Sequence, residues 1–302
     1  MQINPIVEKD LKIKMRGWKS PLLVTLYLGF LGFLIFTFFF DSMYSTYNYF
    51  NPRIMTEAFN VIAAFQLGMI AIITPALTAS AISGERERKT LDLLLCTDYS
   101  TLKIIIGKVV ASIAHVLLLV TASLPIMSTV FLFGGVRISD IIILFVLYLA
   151  TALMIASFGI FFSTIFKRSA VSMIATYIMI MFLFFGTLIA YIFYYVIVQR
   201  ITDRAVADVS VWFLFGNPIF GLASIIDTGT SGLSSILNIR SFIGIVTSSR
   251  IGHWVINVIF DVIASITLIS LSAWKIKPVK RYMFKLRKRE HKVRGLRSDF
   301  DK

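Results

Sequence analysis

The chain has 302 residues, 57% of them hydrophobic and only 15% charged, with a formal net charge of +14. A soluble domain carries about a quarter charged residues, whereas several windows here run about twenty apolar residues without a charge, enough to cross a bilayer as a helix. A soluble domain is excluded, and so is a membrane β-barrel, because the runs do not alternate. The composition therefore predicts an all-α integral membrane protein. The positive charge does not point to nucleic acid, since the bases gather in short segments beside the apolar runs. A single cysteine, Cys96, excludes an internal disulfide framework.

In chain order, "INPIVEKDLKIKMRGW" sets Ile6, Leu11, Ile13 and Met15 among bases. Residues 1–20 are thus expected as an amphipathic helix along the membrane surface. Six spans follow, at about 21–40, 57–82, 104–133, 140–166, 170–198 and 250–274. The first is read as retained rather than cleaved, because its basic stretch is long and no small-residue cleavage site follows. The third and fifth exceed about twenty residues and are expected to tilt or protrude. Phe36, Phe38, Phe39 and Phe40, like Phe182, Phe184 and Phe185, read as lipid-facing or packing residues. Tyr191, Tyr194 and Tyr195 fit an aromatic belt. Residues 199–249 form the longest connecting segment, in which "VWFLFGNPIFGLASII" is apolar enough to re-enter the membrane where protein covers its backbone. The tail 275–302 is a basic block suited to anionic headgroups. No repeat or linker divides the chain, so 1–302 reads as a single membrane domain.

Lys and Arg decide the expected orientation. Twenty-four lie in 1–20, 83–108, at Lys167 and Arg168, and in 275–302, against six in the opposite loops. Both termini and the 83–103 loop are accordingly expected in the cytoplasm.

That loop carries seven charges in the fourteen residues from Glu85 to Asp98. Its pattern suits a short helix from Glu85 onward, with acidic residues in the first turn. Leu91, Leu94 and Leu95 share a face, and Arg88 and Asp92 are spaced to pair. Thr97, Asp98, Tyr99 and Ser100 then read as a turn. Two readings compete at this point: a solvated loop at the interface, or a docking element for a cytoplasmic protein. The chain has no G-x-x-x-x-G-K-[ST], no H-E-x-x-H, no G-x-S-x-G and no Cys/His cluster, so no enzyme or nucleotide site of its own is expected.

"ISGERERKTLDLLLCTDYSTLKIIIGK" resembles the cytoplasmic loop of type-2 ABC exporter permeases, the ABC-2 membrane subunits. Glu85, Arg86, Glu87, Thr90, Leu91, Leu94, Leu95, Thr97, Ser100, Gly107 and Lys108 match that pattern, while Lys89 stands where the family has Gly and Asp98 where it has Pro. "NPIVEKDLKIKMRG" is similar to the family's amphipathic entry helix. The resemblance implies a half-transporter whose loop between spans two and three is a coupling helix, seated in a groove of a separate P-loop ATP-binding subunit. Two such subunits, binding ATP and Mg themselves, would drive two permease copies, identical or paralogous, between inward and outward access. Glu85, Arg86, Glu87, Arg88 and Thr90 would then supply polar contacts, with Leu91 and Leu94 as anchors and no cofactor in this chain.

Span six carries His253, Asn257, Asp261 and Ser265 at four-residue spacing, a slowly winding stripe. An Asp at mid-span costs about 2.5–3.5 kcal/mol on insertion scales, so it should face protein or water. Either a polar neighbour on another helix satisfies it, with His115 of span three a possible partner, or the stripe lines a translocation pathway. The expected function is export of an amphipathic or hydrophobic substrate, a peptide or drug, from a bacterial cell. The alternative is an ATPase-independent channel or secondary transporter.

Overall fold

The computed structural model describes residues 17–44, 52–91, 100–132, 136–202, 212–226 and 253–276. The expected entry helix up to residue 16, residues 92–99 of the charged loop with Leu94 and Asp92, and the basic tail beyond 276 lie outside the described residues. The described residues form helices and no strand. They are α1 (Lys19–Tyr44), α2 (Pro52–Thr78), α3 (Ser83–Glu87), α4 (Thr101–Leu132), α5 (Ile138–Ile165), α6 (Ser169–Met181), α7 (Thr187–Thr202), α8 (Pro218–Ile226) and α9 (His253–Ile276). A π-turn, Phe182–Gly186, joins α6 to α7, and a 3-10 turn, Trp212–Gly216, precedes α8. Six stretches are long and apolar enough to cross a membrane: α1, α2 with α3, α4, α5, α6 through the start of α7, and α9. The protein is an all-α membrane protein with six such spans.

α5 is the central post, packing against α2, α4, α6, α8 and α9. Its buried side includes Ala150, Ala152, Ala156, Ser157, Gly159 and Ser163. Small residues let helix backbones approach within the membrane, where lipid tails compete equally for larger apolar side chains. At Gly159 the approach is closest: a Cβ there would sit 2.9 Å from Cβ of Thr78 at the end of α2. The main core joins Leu31 of α1, Ile62 and Leu67 of α2, Leu119 of α4, Leu147 and Ile155 of α5 and Leu222 of α8. Only 11% of the first span and 17% of the fifth are buried, against 67% of the third. The Phe-rich face of α1 (Phe33, Phe36, Phe40) is therefore exposed, whereas Phe30 stacks on Phe65 of α2 at 4.4 Å. Phe184 departs from that pattern and packs into the core.

Hydrogen bonds within this core are few and specific. Gln66 Nε2 donates to Ser123 Oγ at 2.7 Å and Tyr148 donates to the Ala63 carbonyl at 2.7 Å, each joining two helices. Pro75 interrupts α2, removing the N–H that Ala71 would receive. One residue along, the Ile72 carbonyl accepts from Tyr177 of α6 at 2.8 Å.

Candidate functional site

Within the described residues, the charged segment after α2 does not continue as one helix from Glu85 to Leu91. It forms the short α3, then turns at Arg88 and Lys89, with Lys89 at φ 58. Lys89 N–H donates to Arg86 O at 3.1 Å and Thr90 N–H to Glu85 O at 2.9 Å. That pair of bonds is the Schellman C-terminus, whose left-handed position normally takes Gly. Lysine's good helix propensity concealed the stop from a reading by periodicity. Glycine would fill this position without strain, whereas Lys89 adopts the turn at a cost of about 1–2 kcal/mol.

Successive residues of a helix point about 100° apart, and the three charges of α3 fan out to three different helices. Glu85 meets Lys108 of α4 at 3.3 Å, with Lys108 almost wholly buried. Thr90 Oγ1 also donates to the Glu85 carboxylate. Arg86 donates to the carbonyls of Thr164 (3.3 Å) and Phe166 (3.2 Å) at the C-terminus of α5. Glu87 accepts from the N–H of Ser169 at 2.8 Å and from its hydroxyl at 2.7 Å, at the first residue of α6. A cation on a helix C-terminus and an anion on a helix N-terminus both complement the helix dipole. From beneath, Ser163 Oγ of α5 accepts the N–H groups of Ile82 (2.9 Å) and Ser83 (2.8 Å).

Of the residues singled out from sequence, Arg88 is exposed, together with Lys89 beside it. Leu91 is half-buried and packs on a second apolar cluster formed by Ile82, Ile105, Val109 and Ile160. A half-open cavity of about 390 Å³ lies behind the element, lined among others by Ser80, Gly84, Glu85, Lys108, Ser112 and Ser169. Sequence reasoning missed Ser163 and Ser169, whose types are unremarkable and whose partners lie about eighty residues away. It matched Lys108 as part of a motif but had no means of pairing it with Glu85.

The polar stripe of α9 is buried in the bundle. Asn257, Asp261 and Ser265 are almost wholly buried; His253 opens the helix, its side chain lying outside the described set. Asp261 Oδ2 accepts from Thr151 of α5 at 3.1 Å, and Ser265 Oγ donates to the Asp261 carbonyl at 2.6 Å. His115 is buried on α4. Thr151, flanked by apolar residues on α5, gave no sequence signal for this contact.

At the other end of α5, the segment 212–226 is held by two amides. Asn217 precedes α8 in the N-cap position, with Pro218 first in the helix, an arrangement suited to a helix start. Its Oδ1 accepts the Ile219 N–H at 2.8 Å. Its Nδ2 donates to Phe184 O at 2.9 Å and Thr187 Oγ1 at 2.7 Å, both at the π-turn. Thr187 N–H goes to Phe182 O, so it is unavailable to Leu183 O, to which the Thr187 hydroxyl donates instead at 2.7 Å. Asn257 Nδ2 donates to Phe215 O at 2.8 Å and Asn217 O at 3.2 Å. Gly216 and Gly221 stand at close approaches: a Cβ would lie 2.7 Å from the Phe260 ring and 2.9 Å from Leu147 Cδ1, respectively.

Among curated proteins none matches the chain. A family model described as "ABC-2 family transporter protein" matches residues 5–206, which takes in α1 through α7, the charged element and Lys108. With six membrane-spanning helices and a match over well over half its length, the chain belongs to the ABC-2 family of transporter proteins, as a multi-pass permease component of an ABC transporter.

Proposed function

We propose that the chain is the permease subunit of an ATP-driven exporter and that α3 with its following turn is where a separate ATP-binding subunit docks. The observation that carries this reading is the mounting of the element. Glu85, Arg86, Glu87 and Thr90 spend their polar groups on bonds to the chain itself, Glu87 doing so at the exposed rim. Arg88 and Lys89 are exposed beside them. A rigidly backed basic turn suits a surface that must receive force, and Arg88 and Lys89 supply its outward charge. Leu91 anchors the element from the apolar side. This distribution supports contact through the turn and support through the acidic pair, rather than contact through the acidic pair itself.

The excess of bases on the α3 side supports a cytoplasmic position for that end and for both termini, in a bacterial cell. Two permease copies, identical or paralogous, work with two ATP-binding subunits, which hold ATP and Mg. The cargo is an amphipathic or hydrophobic peptide or drug, in keeping with a Phe-rich bundle of few internal charges. Asn257, Asp261 and Ser265 serve the packing of α9 on α5 and on the 212–226 segment, since each is buried and bonded within the bundle.

The test is co-expression with a P-loop ATP-binding subunit from the same genome, followed by purification and an ATPase assay. A complex is expected for the natural sequence and loss of the complex for the Arg88→Glu, Lys89→Glu variant, with membrane insertion retained. Co-purification untouched by the reversal, or transport that persists without ATP, would overturn the reading.

A further inference from the structure

We infer that Arg86 and Glu87 are positioning residues that make the turn between α5 and α6 move as one body with α3, with Glu85 tying the same body to α4; this rests on the docking reading above. The geometry is specific. Arg86 holds the last carbonyls of α5 and Glu87 holds the first N–H of α6, so adjacent residues grip the two sides of the turn Phe166–Arg168. One attachment would leave the turn free to swivel about it. Two attachments on opposite sides fix its orientation as well as its position, and the Ser163 bonds to Ile82 and Ser83 N–H add a third point.

The chemistry of the two grips differs from that of an ordinary surface ion pair. Arg86 and Glu87 do not spend their charge on each other. Each meets a helix end of opposite partial charge, where backbone groups lack partners inside their own helix. The planar guanidinium presents several donors in a fixed fork and can reach two carbonyls together, which a lysine ammonium cannot do with the same rigidity. The carboxylate likewise uses both oxygens on one residue, Ser169. Because α5 packs against α2, α4, α6, α8 and α9, displacement of its end is passed to most of the bundle. The motif thus reads as three adjacent side chains addressing three membrane helices, with Arg88 and Lys89 left for the partner.

The experiment uses the full chain in lipid discs, with Cys96→Ser and cysteines replacing Lys89 and Lys167, both exposed. Nitroxide labels are attached, and the distance between them is measured by pulsed electron paramagnetic resonance. It is measured for the permease alone, since a label at position 89 occupies the surface proposed for the partner. The expected result is one narrow distance in the parent and loss of that narrow distance in the Arg86→Ala, Glu87→Ala variant. The variant keeps the Glu85–Lys108 and Ser163 contacts; should it fail to insert, Glu87→Ala alone frees the α6 side and should broaden the same distance. A distance as narrow in these variants as in the parent overturns the inference. The comparison needs no ATP-binding subunit, so failure of the docking reading is seen separately.

Discussion

The two ends of α5 are fastened by different chemistry. At the α3 end, charged side chains grip helix termini, and Arg86 and Glu87 are partly or fully exposed to water. At the 212–226 end, two neutral amides, Asn217 and Asn257, hold backbone carbonyls in nearly complete burial. The difference follows from desolvation. A charge fully removed from water is costly unless it is paired, whereas an amide supplies two donors and an acceptor at far lower cost. Near water a charged group retains part of its hydration and gains the attraction of a helix dipole. The amide end is therefore a permanent joint of the fold. The charged end is one whose bonds water can replace.

That comparison is most easily broken at Asn217. Asn217→Ala leaves Phe184 O and the Thr187 hydroxyl without their donor and removes the cap of α8. A loss of about 1–3 kcal/mol for each buried group left unsatisfied is expected, read as a lower thermal midpoint in detergent. Asn257→Ala should behave similarly through Phe215 O. At the charged end, Arg86→Ala exposes carbonyls that water can reach, so its stability cost should be no more than about 1 kcal/mol. Its effect should fall instead on coupling. A midpoint drop for Arg86→Ala larger than for Asn217→Ala would reverse the assignment of the two ends.

Lys89→Gly sharpens the picture of the turn. Removing a left-handed lysine saves the backbone strain, and part of the gain is offset by glycine's greater freedom in the unfolded chain. A net gain of about 0.5–1 kcal/mol is expected, measured as a raised midpoint with unchanged insertion. An equal loss would show that the side chain, rather than the backbone, sets the turn.

Much of this protein is legible in its sequence, and the reason is locality. Span count depends on uninterrupted apolar length, and the expected orientation on where Lys and Arg fall, both properties of contiguous sequence. The loop motif between spans two and three likewise points to the family. Reading fails where one element completes another. Lys89 looks like a good helix residue because propensity sums over neighbours, whereas the turn there is set by backbone bonds that close around it. The acidic residues of α3 look like a surface for a partner, because nothing near them in sequence shows that Ser169 and Lys108 await them. The polar stripe of α9 is visible as spacing, but only packing shows that Thr151 meets Asp261 and that Asn257 holds the 212–226 segment.

The sequence by itself determined a six-span α-helical membrane protein with one charged element between spans two and three. Tertiary structure alone decided which charges of that element face inward and which remain outside. Hydrophobic length is measured along the chain, whereas a helix end is capped by whatever the fold brings to it, here from about eighty residues away.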